Sequence, residues 1–196
     1  MKRLLPLLGF TLLLAACVDT TGLSADSHKP VRGNPNAVVV VQEFGDLQCP
    51  SCAGAQRDIN KPLLEKYPNQ IRFEFLHYPL SQHRYSRDLA EAAECAADHQ
   101  KFWEFVDYAY ENQAKLKGKD TIYEWAKELG FSDDLFDRCM RSHIKRAAVN
   151  ADYAKGQQMN VGGTPWFFIN GTQVPARLDA MSAAVEDILK QVKTRL

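Results

Sequence analysis

Val38-Val39-Val40-Val41-Gln42-Glu43-Phe44-Gly45-Asp46-Leu47-Gln48-Cys49-Pro50-Ser51-Cys52 is the stretch on which the fold turns. Its first half is a near-continuous apolar run of β-branched residues, the pattern of a strand buried on both faces. After Gly45, Cys49-Pro50-Ser51-Cys52 opens a helical pattern, so two thiols stand at a strand-to-helix turn. A sulfur in a helix's first turn faces unpaired N–H groups and the positive end of the helix dipole, which stabilise thiolate. Pro50 suits the first helical position, where no N–H partner is needed. Redox chemistry is the leading reading, against a static disulfide or half of a zinc site. A static bridge rarely needs so short a loop at such a turn. Cys95 and Cys139 are not spaced as a second ligand pair, so no metal is expected.

Downstream, the helix runs to about Tyr67, Pro68-Asn69 breaks it, and Ile71-Arg72-Phe73-Glu74-Phe75-Leu76 follows as a strand. This β-α-β unit implies a parallel pair with covered faces. Residues 86–158 are then almost wholly helical in character. Leu89, Ala92, Ala93 and Ala96 recur at helical spacing, as do Phe102, Phe105, Val106 and Ala109, then Ile122, Trp125, Ala126 and Leu129. Further helices are expected over 132–141 and 142–157. Such a block inside an α/β pattern reads as an inserted subdomain, here about 81–158. Trp103, Phe105, Tyr108 and Tyr110 read as its core, with some available to edge a peptide groove. After Gly162-Gly163 a strand returns as Trp166-Phe167-Phe168-Ile169, Asn170-Gly171 turns the chain, and Thr172-Gln173-Val174 begins the partner strand. Met181, Ala184, Val185, Ile188, Leu189 and Val192 form the apolar stripe of a closing helix.

Upstream, Lys2-Arg3 and the apolar stretch Leu4 to Ala16 have the order of a secretion signal. Leu14-Ala15-Ala16-Cys17 resembles the lipobox of bacterial lipoproteins. The resemblance implies that residues 1–16 are a lipoprotein signal peptide and that Cys17 carries lipid, giving an exported protein anchored to a bacterial membrane and facing the periplasm or cell surface. Val18 lacks the aspartate that marks inner-membrane retention in some bacteria, so either membrane stays open. Of the five cysteines four then remain, enough for two pairs, in a compartment where disulfides persist. Residues 17–36 are polar, with Gly22, Pro30, Gly33 and Pro35, and read as a lipidated flexible tether. Across the 196 residues, 24 Lys+Arg balance 24 Asp+Glu, which favours neither nucleic acid nor an acidic substrate as partner.

A β-α-β unit with C-x-x-C at its turn, a helical insertion, Gly163-Thr164-Pro165 leading a hairpin and a final helix together resemble the thioredoxin fold. Ala92-Ala93-Glu94-Cys95-Ala96 and Lys101-Phe102-Trp103-Glu104 look like the insertion of the DsbA-like thiol:disulfide oxidoreductases. The expected class is therefore α/β, a thioredoxin fold with an inserted helical subdomain, over residues 37–194. The resemblance implies that Cys49 is the exposed nucleophile and Cys52 the buried resolving thiol, with Pro50 and Ser51 completing the motif. It also implies that Pro165 is a cis-proline facing the dithiol, that Thr164 offers its backbone to an extended substrate, and that Glu43 is a buried acid able to exchange a proton with Cys52. A salt-bridged strand-edge glutamate is the competing view of Glu43. Cys95 and Cys139 are expected as a structural disulfide between two insertion helices, with a second redox pair as the alternative. His77, at a strand end, is read as a surface or packing residue rather than as an active-site group, and Asp46 and Gln48 as tuning the local field.

The function implied is a membrane-tethered dithiol oxidase acting on unfolded or reduced exported proteins, using its redox-active disulfide and no other cofactor. Its recharging implies a DsbB-like or vitamin-K-reductase-like membrane oxidase. A disulfide reductase or isomerase of the same fold, or a non-catalytic peptide-binding or metallochaperone lipoprotein, are the rival readings. The Pro50-Ser51 dipeptide does not decide the direction of electron flow.

Overall fold

The computed structural model describes residues 18–131 and 133–195, so the 1–16 segment and Cys17 lie outside the described residues. Strands β1 (Arg32–Gly33), β2 (Val39–Gly45), β3 (Ile71–His77), β4 (Trp166–Ile169) and β5 (Thr172–Val174) form one mixed sheet in the order β1-β3-β2-β4-β5. The valine-rich strand is thus central, with Glu43 opposite Phe75 on its parallel neighbour β3 and opposite Phe167 on its antiparallel neighbour β4. Helix α8 (Leu178–Arg195) covers one face, burying Met181 and Val185 fully. On the other face Phe44, Leu76, Tyr78 and Phe168 pack with Val161 and Tyr153 as a smaller core.

The helix after the dithiol is not regular. It comprises α1 (Pro50–Ala55), a π-helical turn (Gln56–Asn60) and α2 (Lys61–Lys66). Pro62 has no N–H and its ring would collide with the carbonyl four residues back, so the chain widens by one residue just before it. The Lys61 N–H accordingly reaches the Gln56 carbonyl.

The insertion holds α3 (Ser86–Asp98), α4 (Phe102–Glu111), α5 (Lys119–Glu128), α6 (Asp134–Ser142) and α7 (Arg146–Gln158). The apolar positions that signalled these helices are its core: Leu89, Ala92, Phe102, Phe105, Ile122 and Ala126 are all fully buried. Trp103, Phe105 and Tyr110 are buried there too, with Tyr108 partly so. The helix expected from residue 142 starts four residues later, because His143 adopts a left-handed conformation (φ 54°) that ends α6. Cys95 on α3 and Cys139 on α6 are joined by a disulfide.

Residues 18–36, expected as a flexible tether, instead lie along the domain, which moves the domain boundary upstream of residue 37. Composition misled here because the segment docks through carbonyls and single charged groups, which leave no periodic pattern. The fully buried Lys145 donates to the Asp26 carbonyl at 2.7 Å and to Asp98 at 2.8 Å. Trp103 Nε1 donates to the Pro30 carbonyl at 2.9 Å, and Arg138 to the Thr21 carbonyl at 2.8 Å. Lys29 bridges Glu94 and Asp152, while Arg32 stacks its guanidinium 4.3 Å from the Trp103 ring centre and pairs with Asp107.

The Cys95–Cys139 bridge spans 44 residues, for which the loss of unfolded-chain entropy is worth about 4 kcal/mol. Urea unfolding of the Cys95→Ala/Cys139→Ala variant is expected to show a loss of ~2–4 kcal/mol with the fold retained. An unchanged midpoint would mean that the bridge contributes nothing to stability.

Candidate active site

Cys49 is the N-cap of α1, with extended backbone (φ −79°, ψ 119°), and Pro50 follows at the first helical position. The Cys49 carbonyl accepts the N–H groups of Cys52 (3.1 Å) and Ala53 (3.2 Å), closing the first turn. Both thiols are free. The hydrogen bond from Cys52 draws the Cys49 thiol down to about 5 against the opposing effect of burial, with Thr164 and the N–H groups of Cys52 and Ser51 adding to it. Helix-terminal N–H groups thus contribute, but the neighbouring thiol dominates. Cys52 is the mirror case: burial, then its bond to Cys49, then the Glu43 charge drive its thiol far above the ordinary range. Cys49, expected to be exposed, keeps only 6% of its surface, whereas Cys52 keeps none.

What covers Cys49 is the loop ahead of β4. Its Sγ lies 3.5 Å from the Thr164 carbonyl oxygen, and the Thr164–Pro165 peptide is cis. Beside the pair an open depression of about 570 Å³ is bordered by Ser51, Ala55, Asp58, Pro165, Arg177 and Leu178. The groove alongside leaves room next to Cys49 for an extended peptide.

Beneath the thiols, Glu43 is 1% exposed on the central strand, far from any strand edge. Burial pushes its carboxyl up to about 8, a hydrogen bond from Asn60 opposing it. Gly45 ends the same strand because a Cβ there would lie 2.4 Å from the Phe75 ring and 3.2 Å from the Tyr110 hydroxyl. Tyr110, from α4, is therefore a floor of the site; burial first, then the charges around it, raises its hydroxyl well above the usual value.

Several polar residues hold the turn, and sequence reasoning singled out only Asp46 and Gln48 among them. Asp46 is buried, and it accepts from the Gln48 N–H (2.8 Å), the Leu80 N–H (2.9 Å) and His83 Nδ1 (2.7 Å). Gln48 Oε1 accepts from the Tyr85 N–H at 2.7 Å. Asp46 and Gln48 thus fasten the turn to the 78–85 loop, and the Asp46 charge also acts on Tyr110. Gln113, from a short 3-10 turn after α4, donates to the carbonyls of Leu47 (2.9 Å) and Cys49 (3.0 Å). Nothing local in the sequence marks these contacts; only Pro62 signals the π-helical turn that delivers Gln56 and Asn60.

His77 ends β3 with 1% exposure and lies 3.3 Å from Glu94, away from the dithiol. His77, Glu94 and Asp152 are the one cluster of metal-ligand type found among the described residues. Lys29 already supplies a cation to two of its members. Burial raises Glu94, but the bond and charge of His77 together with Lys29 hold it at about 2.

A family model described as Thioredoxin matches residues 25–187. The Na(+)/H(+) antiporter NhaA 1 of Salinispora arenicola is 36% identical over 172 residues, covering 84% of this chain and 25% of the antiporter. The chain thus spans about a quarter of the length of such relatives, and among the described residues no helix is long and apolar enough to cross a membrane. The probable disulfide bond formation protein D of Bacillus cereus is 29% identical over 178 residues, covering 85% of this chain and 82% of that one. A thioredoxin-like oxidoreductase from Silicibacter pomeroyi superposes with TM-score 0.72 and 26% identity, over 84% of this chain and 94% of the other.

Two measurements on the reduced protein test this electrostatic picture. Iodoacetamide is expected to label Cys49 with a half-maximal rate near pH 5 and to leave Cys52 unmodified; a midpoint near 9 would contradict the bond from Cys52. Glu43 is raised on folding from 4.5 to about 8, so folding favours its neutral form. That stability is complete below pH 4.5 and is lost as the pH climbs to about 8. Glu43→Gln should therefore match the wild type in urea at pH 4 and exceed it at pH 8.

Proposed function

The chain belongs to the thioredoxin family, and from that membership we propose that it is an exported, membrane-tethered thiol:disulfide oxidoreductase of the DsbA-like kind, working as a dithiol oxidase. The observation that carries the reading is the asymmetry of the two thiols: Cys49 held near 5 against the Thr164 carbonyl, and Cys52 buried and driven upward behind it.

In the oxidising direction a substrate thiolate attacks Cys49 Sγ of the Cys49–Cys52 disulfide. The S–S bond breaks and Cys52 leaves as thiolate, which takes up a proton. The substrate's second thiolate then attacks its own sulfur bonded to Cys49, forming the substrate disulfide and expelling Cys49. Two electrons pass from the substrate dithiol to the protein. The low value of Cys49 favours this last departure, since a stabilised thiolate is the better leaving group and stabilises the reduced protein. Thr164 ahead of cis-Pro165 offers backbone to an extended segment, which suits unfolded exported proteins without selecting their sequence.

Each cycle leaves the protein reduced, so a two-electron acceptor must restore the disulfide. A quinone-linked membrane oxidase of the DsbB-like or vitamin-K-reductase-like type fits that need. Leu14-Ala15-Ala16-Cys17 supports a lipid at Cys17. Metabolic labelling with a fatty acid should then be lost in Cys17→Ser, and the protein should leave the membrane fraction.

The reduction potential of the Cys49–Cys52 pair in a glutathione buffer is expected between about −120 and −180 mV, with oxidative refolding of a reduced test protein that Cys49→Ser abolishes. A potential near about −270 mV would make the protein a reductase. Full refolding activity in Cys49→Ser would remove the enzymatic reading.

A further inference from the structure

The π-helical turn turns two amide side chains inward while Arg57 and Asp58 between them stay at 73% and 61% exposure. Gln56 is 4% exposed and Asn60 fully buried. Asn60 Nδ2 donates to Glu43 Oε2 at 2.7 Å and to Gln56 Oε1 at 2.9 Å, and Gln56 Nε2 donates to Asp107 Oδ1 at 2.5 Å. Asp107 also pairs with Arg32. The charged end dictates every orientation in this line. Asp107 is paired with Arg32 and accepts from Gln56, so Gln56 turns its NH₂ to Asp107 and its oxygen inward. Asn60 must then present its NH₂ to that oxygen and, with its second hydrogen, to Glu43. The outcome is a carboxyl bound by one oxygen, with Oε1 buried and without a hydrogen-bond partner among the described residues.

We propose that Asn60, oriented through Gln56 and Asp107, is a positioning residue that holds Glu43 by Oε2 and leaves Oε1 to exchange a proton with Cys52. The inference rests on the exchange chemistry proposed above. When a substrate thiolate breaks the Cys49–Cys52 bond, the Cys52 thiolate takes the proton of the Glu43 carboxyl, and the carboxylate that remains is met by the Asn60 N–H. In the return direction the carboxylate withdraws the Cys52 proton, and the freed thiolate attacks Cys49 Sγ of a mixed disulfide with a partner, forming the Cys49–Cys52 bond as the partner's sulfur departs as thiolate. The groups whose charge or hydroxyl acts on Glu43 are Cys49 and Cys52 at the turn, Arg32 of β1 and Tyr110 of α4. Asn60 is the one that bonds it directly and favours the ionised form.

The test follows the Glu43 side-chain carboxyl by ¹³C NMR in the reduced full-length protein, assigned by its loss in Glu43→Gln. The wild-type midpoint is expected near 8. Asn60→Leu should raise it by about one pH unit, a ten-fold smaller ionised fraction below the midpoint. Gln56→Leu, which releases the orientation of Asn60, should move it less and in the same direction, and it and Asn60→Ala carry the measurement if Asn60→Leu does not fold. The pH profile of thiol exchange should shift with the midpoint, and Asn60→Leu should add no shift in the Glu43→Gln background. A midpoint unchanged in the folded variants, or a midpoint that moves without the exchange profile, overturns the proposal. Because the NMR midpoint needs no turnover, absence of exchange activity in the wild type would instead remove the oxidoreductase reading and leave the Asn60–Glu43 bond measured on its own.

Discussion

The antiparallel pairing of β2 with β4 is the constraint on which the site depends. With Phe44 opposite Trp166, the end of one strand meets the start of the other, so Cys49 and Thr164 come together although 115 residues separate them. A slip of one residue would turn Glu43 and every valine of β2 to the wrong face. The parallel pairing with β3 on the other side pins that register, and α8 seals the face on which Met181 and Val185 are buried. The dithiol therefore follows the end of a central strand whose last three residues, Glu43 to Gly45, are all buried, and its chemistry inherits that enclosure.

Four ionisable groups share the enclosure, and they differ in how many hydrogen bonds they accept as well as in burial. Asp46 and Glu43 are almost equally buried, yet Asp46 accepts three bonds while Glu43 accepts one. The first serves to hold the turn, the second stays poised between its two protonation states. The two sulfurs divide in the same way. Burial first and then the bond to Cys49 raise Cys52, while the same bond lowers Cys49 against its own burial. The insertion takes part directly, since Gln113, Tyr110 and Asp107 all reach the turn or its floor.

The leading segment belongs to the same body. Lys29 and Lys145 enter from opposite partners, one carried by the segment into Glu94 and Asp152, the other rising from the insertion to the Asp26 carbonyl. Pairing matters here because a single buried charge left without its partner is costly. Arg32 extends this clasp to Asp107, which also holds Gln56, so the strap and the line of amides below the dithiol share one carboxylate.

The sequence by itself determined the central strand, the insertion helices, the hairpin and the thiols at the helix start. Each of these is written in local periodicity or in a short motif: alternation or continuity of apolar residues, and C-x-x-C ahead of a helix. It was silent or misleading wherever a contact joins distant residues singly. The strap read as a tether because carbonyl acceptors and isolated lysines leave no period, and Asn60, Gln56, His83 and Gln113 looked like ordinary polar positions. Even Glu43 left two readings open, since a glutamate's protonation depends on what encloses it. Only the tertiary structure decided these, because solvent exclusion and single long-range hydrogen bonds, not the identity of the residue, set how tightly Glu43 holds its proton and which thiol reacts.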